Sequence, residues 1–166
     1  MLRFATLLFA TLLLAVIPAR AAEDGPETYE TALVGDAARP ASYVTFHASC
    51  GDECYAASLA CDSDGSISFD FGDIAAEIAA AAITRENQDF ALVMGGVTYA
   101  FFIIKLEYNG DMNGTWIVVG QLRNSGAANF ANALGKAKDF KASIGSENLT
   151  LPVTADVKTW AAACVK

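Results

Sequence analysis

This 166-residue chain has a single histidine, His47, and that scarcity removes a large part of catalytic chemistry at once. A Ser-His or Cys-His nucleophile needs a neighbouring base, and His47 stands between Phe46 and Ala48 in strand-like sequence, where a structural or surface imidazole is expected. Gly-x-Ser-x-Gly, His-Glu-x-x-His and a phosphate-cradling glycine-rich loop are all missing. Basic residues are also few, 11 Lys and Arg against 19 Asp and Glu, and nowhere do they form a patch. The formal charge of −8 repels nucleic acid and anionic lipid, which bind mainly through cations that neutralise phosphate. With 18% charged and 54% hydrophobic residues the chain is too apolar to stay disordered, and it contains no internal repeat or low-complexity segment.

Long apolar runs are confined to the N-terminus. Met1-Leu2-Arg3 opens with a positive charge, an uncharged apolar run follows from Phe4 to Ile17, and Pro18-Ala19-Arg20-Ala21 closes it. That run has the length of a signal-peptide core and falls short of the roughly 20 residues a helix needs to cross a bilayer. Cleavage after Ala21 is expected, leaving no membrane span; Pro18 and the acidic Glu23 and Asp24 argue against a retained anchor. No Cys sits at the cleavage point to suggest a lipoprotein. The expected leader, residues 1–21, carries Arg3 and Arg20 and no acid, so its removal takes the formal charge from −8 to −10 and leaves 145 residues, the size of one domain. Residues 22–40, punctuated by Gly25, Pro26, Gly35 and Pro40, read as a flexible leader with one short edge strand, and 41–166 as a single β-rich domain.

All four cysteines, Cys50, Cys54, Cys61 and Cys164, follow the expected cleavage point. An even count in an exported chain reads as two disulfides, although four cysteines allow three connectivities and spacing alone does not choose among them. Cys50 and Cys54 flank Gly51-Asp52-Glu53, a short hairpin-like loop whose opposed ends come close enough to bridge, which would leave Cys61 for Cys164. A redox pair would be Cys-x-x-Cys at a helix start, and zinc would need ligands at spacings that His47 does not join. No metal, no cofactor and no catalytic residue is assigned.

Along the chain, Tyr43 to His47, Cys54 to Cys61 and Ser66 to Phe71 read as strands, the last with Ile67, Phe69 and Phe71 on one face and Ser66, Ser68 and Asp70 on the other. Gly72-Asp73 starts a change of period into an Ala-rich helix reaching about Arg85, with Asp73 as its expected N-cap. Phe90 to Met94 passes through Gly95-Gly96, a hairpin signal, into a long strand from Val97 to Tyr108. Its stretch Ala100 to Ile104 is apolar on both faces, so the strand is expected to be central and covered on both sides. Turn chemistry at 109–114 precedes a strand from Thr115 to Leu122. Ser125 is the expected cap of a helix with Ala127, Phe130, Ala131 and Leu134 on one stripe and Lys136 and Lys138 near its negative end. Phe140 to Ile144 and Leu149 to Val153 form a last hairpin. Thr154 then caps a terminal helix whose Val157, Trp160, Ala161 and Cys164 keep the helical interval, with Asp156 at its positive end. Strands in runs joined by tight turns imply an α+β fold: a mainly antiparallel β-sandwich or sheet of about eight strands with three short helices, stapled by disulfides.

Carboxylates are the remaining catalytic possibility, because a glycosidase needs only two, and Asp62, Asp64, Asp70 and Asp73 cluster in sequence. Asp62-Ser63-Asp64-Gly65 is equally what a tight turn requires. The same stretch starts like a calcium loop but lacks its third ligand, its Gly at position six and the bidentate Glu at position twelve. Asn113-Gly114-Thr115 and Asn148-Leu149-Thr150 fit the glycosylation pattern, which carries no meaning in a bacterial host. Tyr99, Phe101 and Ile103 share a strand face with Lys105 and Glu107, an apolar patch rimmed by charge that serves interaction if uncovered and plain packing if a helix lies over it.

A strand carrying Trp116 after Asn113-Gly114, then Phe130-Ala131-Asn132-Ala133-Leu134 with a Lys-bearing end, two short strands and a terminal helix resembles the C-terminal half of the invasion-associated locus B family of exported alphaproteobacterial proteins. The resemblance spans residues 113–166; the Trp-centred opening strand of that family is replaced here by Tyr43-Val44-Thr45-Phe46. It implies a periplasmic or surface-exposed β-sandwich without a catalytic site, linked to envelope or host-cell contact, and no binding residue transfers. The expected function is a non-catalytic exported module, periplasmic or secreted, that binds a protein or envelope component. An inhibitor of a basic hydrolase such as lysozyme and a small carboxylate-dependent glycan hydrolase are the alternatives.

Overall fold

A computed structural model describes residues 28–35, 43–48, 55–84, 90–110 and 114–164. Residues 1–21, Cys50 and Cys54 lie outside them, and so does the bridge expected between those two cysteines.

Among the described residues ten strands, all paired antiparallel, build two sheets. In chain order they are β1 (Tyr29–Val34), β2 (Tyr43–Ala48), β3 (Tyr55–Cys61), β4 (Ile67–Ile74), β5 (Phe90–Met94), β6 (Val97–Ala100), β7 (Phe102–Asn109), β8 (Thr115–Leu122), β9 (Asp139–Ile144) and β10 (Glu147–Pro152). Helices α1 (Ala76–Thr84), α2 (Asn124–Leu134) and α3 (Ala155–Cys164) follow β4, β8 and β10. One sheet runs β1-β2-β3-β4-β8-β7 and the other β10-β9-β5-β6. The fold is therefore α+β, two antiparallel sheets with three helices and one described disulfide.

Alternation decides which side of each strand faces inward. Ile67, Phe69 and Phe71 of β4 are buried, and register sets Leu59 and Ala57 beside Phe69 and Phe71 on the same face. Phe90 and Leu92 of β5 and Phe140 and Ala142 of β9 supply the facing layer. Aromatic rings fill the gap between the sheets. Phe69 sits at the centre, with ring centroids 5.9 Å from Phe90, 6.1 Å from Phe140 and 6.4 Å from Phe101, mostly edge-on as ring quadrupoles favour. Phe46 reaches across from β2 to Phe140 at 5.7 Å. This crowding depends on Gly120 of β8, where a Cβ would fall 2.4 Å or less from two carbons of the Phe90 ring and 2.9 Å from the Phe101 Cβ.

Helices α2 and α3 pack onto this core. Ala127, Phe130, Ala131 and Leu134 of α2 are buried together, and the Phe130 ring stands 5.7 Å from that of Phe101. Val157, Trp160 and Ala161 of α3 are buried as their spacing requires. At the start of α3 the Thr154 Oγ1 accepts the Val157 amide at 3.5 Å, and at its last described residue Cys164 is bonded to Cys61 at the end of β3, with a Cα–Cα distance of 5.7 Å. The short strand expected within residues 22–40 is β1, which pairs with β2 from Tyr29↔Ala48 to Val34↔Tyr43.

Three local expectations give way. The stretch from Val97 to Tyr108 is two strands in different sheets: Phe101 stands between them, its amide bonded to Phe90 O at 2.9 Å and its ring buried. Both strands are sheet edges, so Phe102 and Ile104 are 63% and 50% exposed where cover on both sides was expected. Asp73 caps no helix: β4 continues past it to Ile74 through a register irregularity, Asp73 has φ of 58°, and α1 begins at Ala76. Ser125 is likewise inside α2, whose N-cap position belongs to Arg123 with no side-chain cap bond.

Candidate functional site

The six-stranded sheet has two faces, and only the inner one meets the aromatic core. Register assigns the outer face residue by residue. One row runs Val34, Tyr43, Ala60, Ser68, Gln121, Phe102 across β1, β2, β3, β4, β8 and β7. The next runs Ala32, Thr45, Ser58, Asp70, Val119, Lys105. The central members Ser58, Ser68, Gln121 and Val119 are buried, at 6 to 9% exposure, while Tyr43 and Phe102 are exposed at 39% and 63%. These two rings are four strand steps apart, about 19 Å at the usual strand spacing. The result is a polar, mostly buried strip bounded by two exposed aromatic rings, the trough.

The strip is held by two hydrogen-bonded groups. At one end, the tight turn expected at 62–65 forms: the Gly65 amide donates to Asp62 O and the Asp62 amide to Ser66 O, both at 2.9 Å, with Gly65 at φ 79°. Asp62 Oδ2 accepts from Ser66 Oγ at 2.9 Å, Ser68 Oγ at 2.7 Å and Gln121 Nε2 at 3.0 Å. Asp64 Oδ1 accepts the Ser66 amide at 2.9 Å and Ser66 Oγ at 2.5 Å, and these bonds hold its carboxyl below the usual carboxylate range. Gln121 Oε1 in turn accepts Arg123 Nε at 2.5 Å. Ser66, Ser68 and Gln121 are all buried, and this network satisfies them.

The second group surrounds Asp70. Ser58 Oγ donates to Asp70 Oδ2 at 3.2 Å, and the Tyr55 phenol is hydrogen-bonded to the same carboxylate. Burial raises the Asp70 pKa; the Ser58 hydrogen bond works against this, Glu107 adds to it and Lys105 opposes it. Burial and the Asp70 charge together push the Tyr55 phenol up. The Tyr55 ring lies over Gly72, where a Cβ would come within 3.0 Å of it, so the glycine is what lets the phenol lie down toward Asp70. His47 meets Tyr55 edge-on at 6.1 Å, and its buried Nδ1 has no hydrogen-bond partner.

The face expected from Tyr99, Phe101, Ile103, Lys105 and Glu107 is divided. Tyr99 belongs to β6 and packs its ring 5.2 Å from Phe130, Phe101 is 1% exposed in the core, and Ile103 packs half-buried against that core. Lys105 and Glu107 remain exposed, ion-paired with each other on the outer face. Two causes act together: the chain changes sheets at Phe101, and a bulge between Ile103 and Lys105 shifts the phase of alternation. Of the four aspartates, Asp62 and Asp64 share one turn, Asp70 lies farther along the same strand face, and Asp73 is exposed at the far end.

Among the described residues no group of three or more His, Cys, Asp or Glu is placed to hold a metal ion. No helix among them is long and apolar enough to cross a membrane. The chain matches no family model, no curated protein and no solved structure.

Proposed function

We propose that the chain is an exported, non-catalytic binding module of the bacterial cell envelope, periplasmic or secreted, that takes a protein or envelope component on the outer face of its six-stranded sheet. The observation that carries this reading is the pair of exposed aromatic rings, Tyr43 and Phe102, flanking a mostly buried polar strip of Ser68, Asp70 and Gln121 that hydrogen bonds hold in place. Aromatic anchors beside satisfied polar groups are what recognition surfaces use. The Cys61–Cys164 disulfide supports an oxidising compartment. The resemblance of residues 113–166 to the invasion-associated locus B family favours envelope or host-cell contact, and the formal charge of −8 would suit a basic partner such as a lysozyme-like hydrolase.

A second reading, a carboxylate-dependent glycan hydrolase, draws on Asp70, whose raised pKa is what a general acid needs. Against it, Asp62 Oδ2 is engaged by Ser66, Ser68 and Gln121, and Asp64 Oδ1 by the Ser66 amide and hydroxyl. The experiment compares capture from envelope extract by the wild type, Tyr43→Ala and Phe102→Ala, with Val97→Ala on the other sheet as control. Capture lost in the first two variants and kept in the third supports the trough; equal capture by all four refutes it. Glycan turnover abolished by Asp70→Asn would establish the hydrolase instead.

A further inference from the structure

Strand β7 ends the six-stranded sheet, and among the described residues no strand pairs with its free side. Three of the large exposed hydrophobic residues, Phe102, Ile104 and Tyr108, lie on this one strand. Sheet edges in soluble proteins are ordinarily blunted by bulges and by lysine, and β7 carries both, a bulge at 103–105 and Lys105. What sets it apart is the charge two residues on. Lys105 and Glu107 sit on the same outer face, flanking Leu106, and form an ion pair of opposite signs about that residue.

This arrangement is self-complementary under a twofold axis. If a second copy lays its β7 antiparallel against the first with Leu106 opposite Leu106, then Lys105 of each copy stands opposite Glu107 of the other. The same register sets Ile104 against Tyr108. Paired residues in an antiparallel ladder share a face, so both charge pairs form on the outer side and the lysine completes the edge instead of blocking it. A hetero-partner would have to reproduce this pattern, whereas a second copy supplies it by symmetry.

We infer that the free edge of β7 is a homodimer seam, joined antiparallel about Leu106 with reciprocal Lys105 and Glu107 pairs. The two six-stranded sheets then continue into one another, and their outer faces lie side by side, doubling the surface, whatever it binds.

The test is a charge-swap series followed by sedimentation equilibrium of the purified protein. Both side chains are about half exposed, at 58% and 46%, so single changes leave the core alone. Lys105→Glu sets acid against acid at both pairs, and Glu107→Lys sets base against base; each variant alone associates at least about tenfold more weakly than wild type. Mixing the two variants restores a one-to-one heterodimer, because a chain with acids at both positions then faces a chain with lysines at both. The double variant Lys105→Glu, Glu107→Lys dimerises with itself. A wild type that stays monomeric at its highest soluble concentration, single variants that dimerise like wild type, or a mixture that forms no heterodimer would each overturn the seam. None of these outcomes depends on the trough, whose own test reads capture by Tyr43 and Phe102 variants.

Discussion

The hydroxyls of Thr31 and Thr154, 123 residues apart in sequence, lie 2.7 Å from each other. Thr31 is in the edge strand β1 and Thr154 precedes α3, so this contact fastens the first described strand to the last helix. A threonine hydroxyl has one proton and two lone pairs, which lets Thr154 serve the Val157 amide and Thr31 together. Thr154→Ala removes both and should cost about 1 kcal/mol, with Thr154→Ser restoring most of it, as read by urea denaturation. An unchanged midpoint in the Ala variant would show that neither bond contributes.

The second tether on α3 is covalent. Cys61 and Cys164 close 103 residues of sequence, for which chain entropy allows on the order of 4 to 5 kcal/mol. Cys164→Ser, or reduction of the native protein, should lower the thermal midpoint sharply, and peptide mapping without reductant should recover the Cys61 and Cys164 peptides joined. Recovering them separately from the native protein would contradict the bridge.

Gly120→Ala should destabilise by about 1 to 3 kcal/mol, because the new methyl group collides with the Phe90 ring and the Phe101 Cβ in a packed core. Gly135→Ala is the control. That residue has φ of −56° and nothing nearer than Asn132 O at 3.6 Å, so a side chain there is neutral or stabilises by about 0.4 to 1 kcal/mol. Similar effects at the two positions would refute the close sheet approach.

Asp70 and Asp64 depart from 3.8 in opposite directions and act in different pH windows. Asp70 has a folded pKa above the unfolded one. Between the two values the native state binds more protons, so stability falls as pH rises through that window, and the burial cost is complete above the folded pKa. Asp64 has the lower folded pKa; its contribution is present above 3.8 and lost as pH falls through that folded value. Denaturation of Asp70→Asn across acid to neutral pH should therefore lack the wild type's decline on the high side of 3.8, whereas Asp64→Asn should flatten only the region below it. Identical curves for wild type and Asp70→Asn would remove the case for a buried, disfavoured carboxylate.

Period carried much of this fold in the sequence. Alternation in 66–71 marked the inward phenylalanines, and the four-residue stripes of 127–134 and 157–164 marked the buried sides of α2 and α3. Between Val97 and Tyr108 that signal fails, because six consecutive apolar residues from Tyr99 to Ile104 look the same whether a strand is covered twice or leaves one sheet for another. The Asp62 turn was legible from Asp-x-Asp-Gly chemistry, but the reach of its carboxylate to Gln121, 59 residues on, requires register. The trough was not legible at all. Its rows take one residue from each of six strands, and Ser68 or Ala60 carries no mark of the neighbours that pairing gives it.

Phe101 has one mechanical corollary. A single residue hands the chain from the four-stranded sheet to the six-stranded one, with its amide tied to one layer and its ring wedged among side chains of both. There is no slack at that joint, so neither layer can be peeled away while the other stays whole. Amide protons on β5 and β8, on opposite sides of that wedge, should exchange with the same opening free energy, as parts of one cooperative unit.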